Sequence, residues 1–195
     1  IKIKMDAKLL LYIIIGIVTF DFLFGFVLDM LNMKANNSPI PQELEGIYDS
    51  EKLHKSHLYF LTNAKFDLGS AVFSYILILL ALYTDFFGFL DAFWLFPTFG
   101  YPTFVRSIAF FFSLFVLSDM IQLPFSLYKT FVIEEKFGFN KMTLKLFLLD
   151  KIKGYLLMAI LGGGILFLFL YLVENLQSNF WWVFWIVISV IILFI

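Results

Sequence analysis

The chain has 195 residues, of which 62% are hydrophobic, 21% aromatic and only 15% charged, with a net charge of -1 and no cysteine. A soluble domain is about 45–50% apolar and about 25% charged, and a chain this short has too much surface to hide the excess in a core, so a lipid-facing surface is required. The charge balance excludes a nucleic-acid binder, which needs a basic face, and the missing thiols exclude disulfides, cysteine nucleophiles and cysteine-ligated metals.

In chain order, Lys2, Lys4 and Lys8 lead into the first apolar run. That run is long and no small-residue cleavage site follows it, so it reads as a retained span and not as a signal peptide. A helical crossing takes about 20 mainly apolar residues, with every backbone polar group satisfied inside the helix. Five segments meet or approach this: Leu9–Leu31 (interrupted by Asp21 and Asp29), Leu68–Leu90, Phe104–Leu123, Tyr155–Val173 and Phe180–Ile195. The predicted fold is therefore all-α, a polytopic membrane protein in which residues 1–195 form one membrane domain. The last segment has only 16 residues and no charge at its end, which leads to the expectation that the natural protein continues.

Two polar loops separate the spans. Asn32–Asp67 contains Pro39 and Pro41 and then the charged stretch Glu43–Lys55, while Pro124–Lys153 mixes charge with Phe131, Phe137 and Phe139. The connection Asp85–Pro102 is poor in charge and holds Trp94, Phe96 and Tyr101 with Pro97 and Gly100, the composition of an interfacial aromatic belt. Lys34, Lys52, Lys55 and Lys65 fall in the first polar loop, and Lys129, Lys136, Lys141, Lys145, Lys151 and Lys153 in the second. Lysine excess marks cytoplasmic loops, so both are expected in the cytoplasm with the N-terminus outside, against the pull of the N-terminal lysines.

Chemistry is sparse. His54 and His57 stand three residues apart, and one helix face could offer both to zinc, but a site needs a third ligand and Asp49 or Glu51 would have to supply it; two solvated histidines is the simpler reading. Gly162–Gly164 lies inside an apolar span, where glycines permit close helix approach or a local break. Ionisable residues at membrane depth are functional candidates. Asp21 lies well inside the first span, Arg106 opens the third and Asp119 lies near its far end. Asp21 and Asp119 either line a water-filled cavity or are neutralised by a partner.

The stretch Leu123–Thr143, LPFSLYKTFVIEEKFGFNKMT, resembles a distinctive segment of the CAAX prenyl protease type I family, integral-membrane zinc metallopeptidases. Leu149-Asp150-Lys151-Ile152-Lys153-Gly154, Pro41-Gln42-Glu43-Leu44, Tyr48-Asp49 with Lys52 and Ser56, Phe66 and Gly69, and Trp181-Trp182 fit the same pattern in the same order. The resemblance implies the N-terminal membrane half of such a protease, with zinc in the full-length protein. The family's H-E-x-x-H motif and third glutamate ligand would follow the fifth span; none of these is present here, so no catalytic residue or metal ligand is assigned to this chain. His57 stands where the family often has glutamine, and Phe137 where its bacterial members carry phenylalanine and its eukaryotic ones histidine. A bacterial inner membrane is therefore expected in preference to the endoplasmic reticulum.

Within the matched loop, Glu134, Glu135 and Lys136, then Gly138 with its wide backbone freedom, then Asn140 as the expected N-cap of the next helix, describe a hydrogen-bonded corner. Such a corner braces a catalytic helix, lines a peptide groove, or is a plain interfacial turn. The leading functional reading is the non-catalytic part of a zinc-dependent membrane endopeptidase, whose partners are the bilayer, a C-terminal catalytic portion and a peptide or protein substrate. A free-standing membrane scaffold or binding module is the second reading, and a transporter using Asp21 the third.

Overall fold

The computed structural model describes residues 6–36 and 50–194. Among these the fold is all-helical, as expected. Helix α1 is Ala7–Asn36, α2 Ser50–Tyr83 and α3 Phe86–Leu95. Helix α4 runs over Thr103–Phe137 with a π-helical insert at Lys129–Glu134, and α5 over Leu144–Leu176 with a second insert at Met158–Gly162. A short 3₁₀ turn leads into α6, Phe180–Phe194. Four of these helices (α1, α2, α4 and α5) are long and apolar enough to cross a membrane. At about 1.5 Å of rise per residue, each exceeds the roughly 30 Å hydrocarbon thickness.

Local chemistry sets the boundaries. The expected span Leu68–Leu90 divides because α2 ends at Tyr83 and Asp85 takes a left-handed backbone conformation, φ 55°; short polar residues tolerate this better than bulky ones. Gly100, φ 82°, turns the chain ahead of α4. The α4 stop lies in the matched stretch, and α5 starts directly after it at Leu144.

The chain groups into two compact units. The first comprises the described residues up to Gly88 together with Gln122–Lys141. In it α1 and α2 are joined by the stacked rings of Phe22 and Tyr75, 4.1 Å between centroids, and by the Tyr75 hydroxyl donating to Thr19 Oγ1 at 3.0 Å. Gln122 Nε2 donates to Ser74 Oγ at 2.9 Å, fastening the middle of α4 to α2. The second unit, from Phe89 to Ile121 and from Met142 onward, packs α5 on α6 through Phe169 against Phe180 and Phe184.

Large apolar side chains point outward on every helix. Phe20 is 70% exposed and Trp185 71%, whereas Leu90, Ile133, Phe137 and Leu172 are the buried apolar residues among those described. A surface of this kind is unstable against water and suited to lipid. The protein is an integral membrane protein.

Candidate functional site

The corner that ends α4 is built from its backbone upward. Pro124 lies inside the helix, where it removes one N–H and crowds the preceding turn. The π-helical insert Lys129–Glu134 follows within one and a half turns; such single-turn inserts are rare and are frequent at functional sites. The helix then stops at Gly138, φ 79°. Gly138 N–H donates to the Glu135 carbonyl at 3.0 Å and Phe139 N–H to the Glu134 carbonyl at 2.9 Å, the paired bonds of a Schellman stop. Asn140 N–H also donates to the Glu134 carbonyl, at 3.3 Å.

Side chains clamp this corner onto α2. Tyr59 packs edge-on against Phe137 and obliquely against Phe139, with centroids 5.2 and 4.7 Å apart. Phe66 stacks on Tyr128 at 5.2 Å, and Phe73 meets Phe125 at 5.1 Å. Lys129 Nζ donates to both carboxylate oxygens of Asp67, at 2.7 and 2.9 Å. Ile133 and Phe137, 4% and 7% exposed, lie at its heart. The sequence reading named neither Asp67 nor Tyr59; only the recurrence of aromatic residues along α2 hinted at them.

The predicted site residues divide here. Glu135 accepts a hydrogen bond from Asn140 Nδ2 at 2.9 Å, so those two are brought together. Glu134 is half-buried and contributes its carbonyl. The expectation that Asn140 caps the next helix is corrected: Thr143 is the N-cap, extended at φ -89° and ψ 155°, its Oγ1 accepting from Leu146 N–H at 3.3 Å. Asn140 cannot do both, because its side chain is turned back to Glu135.

In the second unit Asp119 is neutralised. Lys151 Nζ donates to its Oδ1 and the Tyr155 hydroxyl to its Oδ2, each at 2.5 Å. Lys151 and Tyr155 stand four apart, on one face of α5. Phe115 packs edge-on to Tyr155 at 5.9 Å, and the three polar groups line a cleft walled by Phe115, Phe147 and Met158. Arg106 is likewise paired, its Nε 3.2 Å from Asp91 Oδ1.

Asp21 differs. It lines a groove of about 460 Å³ between α1 and α2, with Asp29, Ser74 and Tyr75 also on its walls, and no ion pair to it is found among the described residues. Gly162 sits at the end of the second π-helical insert, with Met158 against it, while Gly163 and Gly164 have open space beside them. Here the glycine run coincides with a local break of the helix and not with close helix approach.

Zinc does not fit the donors present. Among the described residues, no group of three or more His, Asp or Glu is placed to hold a metal ion. His57 Nδ1 instead faces Asn36 Nδ2 at 3.0 Å. Asp49 lies outside the described residues.

Comparison with known proteins agrees with the geometry. Residues 29–195 match the family described as CAAX prenyl protease N-terminal, five membrane helices. The chain is 31% identical over 192 residues to the Arabidopsis thaliana CAAX prenyl protease 1 homolog, covering 92% of this chain and 45% of that protein. It is 34% identical over 157 residues to CAAX prenyl protease 1 of Saccharomyces cerevisiae (76% and 35% of the two chains). With the Homo sapiens homolog it shares 35% over 167 residues (78% and 34%). The crystal structure of S. mikatae Ste24p superposes with a TM-score of 0.84 at 32% identity, covering 93% of this chain and 44% of that one. The chain thus spans less than half the length of the curated relatives it matches.

Proposed function

Because the chain belongs to the CAAX prenyl protease N-terminal family, we propose that it is the membrane portion of a zinc-dependent endopeptidase, supporting substrate access and the catalytic helix of the whole protein. One observation supports this more than any other. The stretch that carries the family pattern folds into a corner closed by the Glu134 and Glu135 carbonyls and clamped to α2 by Lys129–Asp67 and Tyr59. Such a corner is a fixed shelf, and preorganised supports of this kind are what a catalytic constellation needs beneath it. No step of hydrolysis is assigned to residues here, since none of the described residues forms a metal-binding set. The metal ligands and general base belong, in this reading, to further sequence.

The membrane orientation is part of the proposal: the two lysine-rich loops face the cytoplasm, where the corner would meet the catalytic portion. So is the bacterial inner membrane, which rests on Phe137 alone and is set against relatives from a plant, a yeast and human. A peptide or protein is the proposed substrate class of the whole protein.

The test is the parent reading frame. An H-E-x-x-H motif downstream, with peptidase activity that needs zinc and is lost when the motif glutamate becomes glutamine, is the expected result. A frame that encodes no such motif rejects the enzyme and leaves the scaffold reading.

A further inference from the structure

We propose that α3 and the turn after it, from Phe89 to Tyr101 in the second unit, form a wedge seated in the boundary between headgroups and acyl chains of the bilayer, a lipid-binding surface beside the start of α4. The argument starts from length. Helix α3 has ten residues, about 15 Å, half of what a crossing requires. Yet the connection Thr84–Pro102 carries only two charged residues, Asp85 and Asp91, and no lysine or arginine. A water-facing loop has no reason for that composition.

Several polar groups of the segment are satisfied within the protein. Asp91 pairs with Arg106 of α4 at 3.2 Å. Trp94 Nε1 donates to Ser113 Oγ at 2.8 Å, and Ser113 in turn to the Ala109 carbonyl. The Trp94 carbonyl accepts from both the backbone N–H and the hydroxyl of Thr98, and Phe99 N–H and Tyr101 N–H close the turn onto Phe96 and Thr98. Lipid demands this arrangement, because it offers no replacement hydrogen bonds; water does not.

The apolar groups point the other way. Phe96 is 91% exposed, with Phe89, Phe93, Phe99 and Tyr101 also exposed, while Leu90 is buried and fixes the helix in place. On α4, to which this segment is tied by Asp91–Arg106 and Trp94–Ser113, Phe111 and Phe112 are exposed as well. Since α4 is long and apolar enough to cross the bilayer, lipid is the occupant that suits exposed aromatic side chains on a segment tied to it. Tyr101, which is exposed, is an amphipathic ring of the kind that settles at headgroup depth.

The chain has no cysteine, so single reporters need no prior substitutions. Phe96→Cys and Phe99→Cys, with Lys55→Cys on the charged part of α2 as the aqueous control, are labelled with bimane and reconstituted as the full chain into dioleoyl-phosphatidylcholine vesicles loaded on both sides with iodide. The expected result at both wedge positions is iodide quenching at least about fivefold weaker than in the control, as for interfacial side chains, with 5-doxyl lipid quenching more strongly than 12-doxyl lipid. Iodide quenching equal to the control makes the segment a solvated loop and overturns the proposal. Quenching by neither iodide nor doxyl lipid means that protein covers the surface, and stronger quenching by 12-doxyl lipid means a deep re-entrant hairpin; either result overturns it too.

Discussion

Two lysine–aspartate pairs, one in each compact unit, show the same chemistry used in two ways. Lys129 grips both oxygens of Asp67 at the corner, with the side chains 38% and 51% exposed. Lys151 and Asp119 are 25% and 21% exposed where α5 meets α4, and Tyr155 takes the second carboxylate oxygen. An ion pair that water can reach contributes about 0–1 kcal/mol, because water replaces either partner. Where packing limits access of water the replacement is harder, so the cost falls on whichever charge is left alone. The corner therefore owes its shape to backbone bonds and rings, and in the second unit the ion pair joins the rings of Phe115 and Tyr155 in the α4–α5 contact.

The largest effect that tests this contrast comes from Lys151→Met, which strands the Asp119 carboxylate. We expect a loss of about 2 kcal/mol, less than a fully buried pair costs when one side is removed because both side chains are partly exposed, read from unfolding in mixed micelles. Asp119→Leu combined with Lys151→Met should recover most of it, since no charge then remains to be solvated. A double variant no more stable than the single one would show that the triad shapes the helices instead of neutralising a charge. The next effect belongs to the corner. Gly138→Ala meets nothing within 4 Å of its added Cβ but sits at φ 79°, so the left-handed backbone alone should cost about 1–2 kcal/mol. An unchanged midpoint would mean that the stop at Gly138 is not what holds the corner.

Much of this was legible in the sequence, and the reasons it was or was not are physical. Apolar run length made the spans readable, because lipid imposes a length on every crossing. Gly138 was readable because few residues accept its conformation. The break of Leu68–Leu90 at Tyr83 was not, since Thr84 and Asp85 are too few to interrupt a hydropathy average and only backbone geometry exposes the turn. Asp119 was recognised as a charge in a span, but its partners lie 32 and 36 residues away, and one sequence contains no rule that joins them. Asn140 was misassigned as a cap because asparagine and threonine both suit that position; the competing bond to Glu135 decided between them.

The smaller effects sharpen the corner itself. Thr143→Ala should cost about 1 kcal/mol through the lost cap on Leu146 N–H and loosen amide-exchange protection in the first turn of α5. Asn140→Ala should leave that turn protected. If it unprotects the turn as much as Thr143→Ala does, Asn140 reaches the helix after all.

The smallest effect comes from Lys129→Met, expected at about 0.5 kcal/mol. Its value lies in salt dependence. Exposed charges are screened over about 10 Å at 0.1 M salt and about 3 Å at 1 M, so raising salt should shrink the Lys129→Met penalty while leaving the Lys151→Met penalty nearly unchanged. The two lysines share a residue type and an aspartate partner, and their pairs differ chiefly in access to water. Equal salt sensitivity in both would show that water reaches Asp119 as freely as it reaches Asp67.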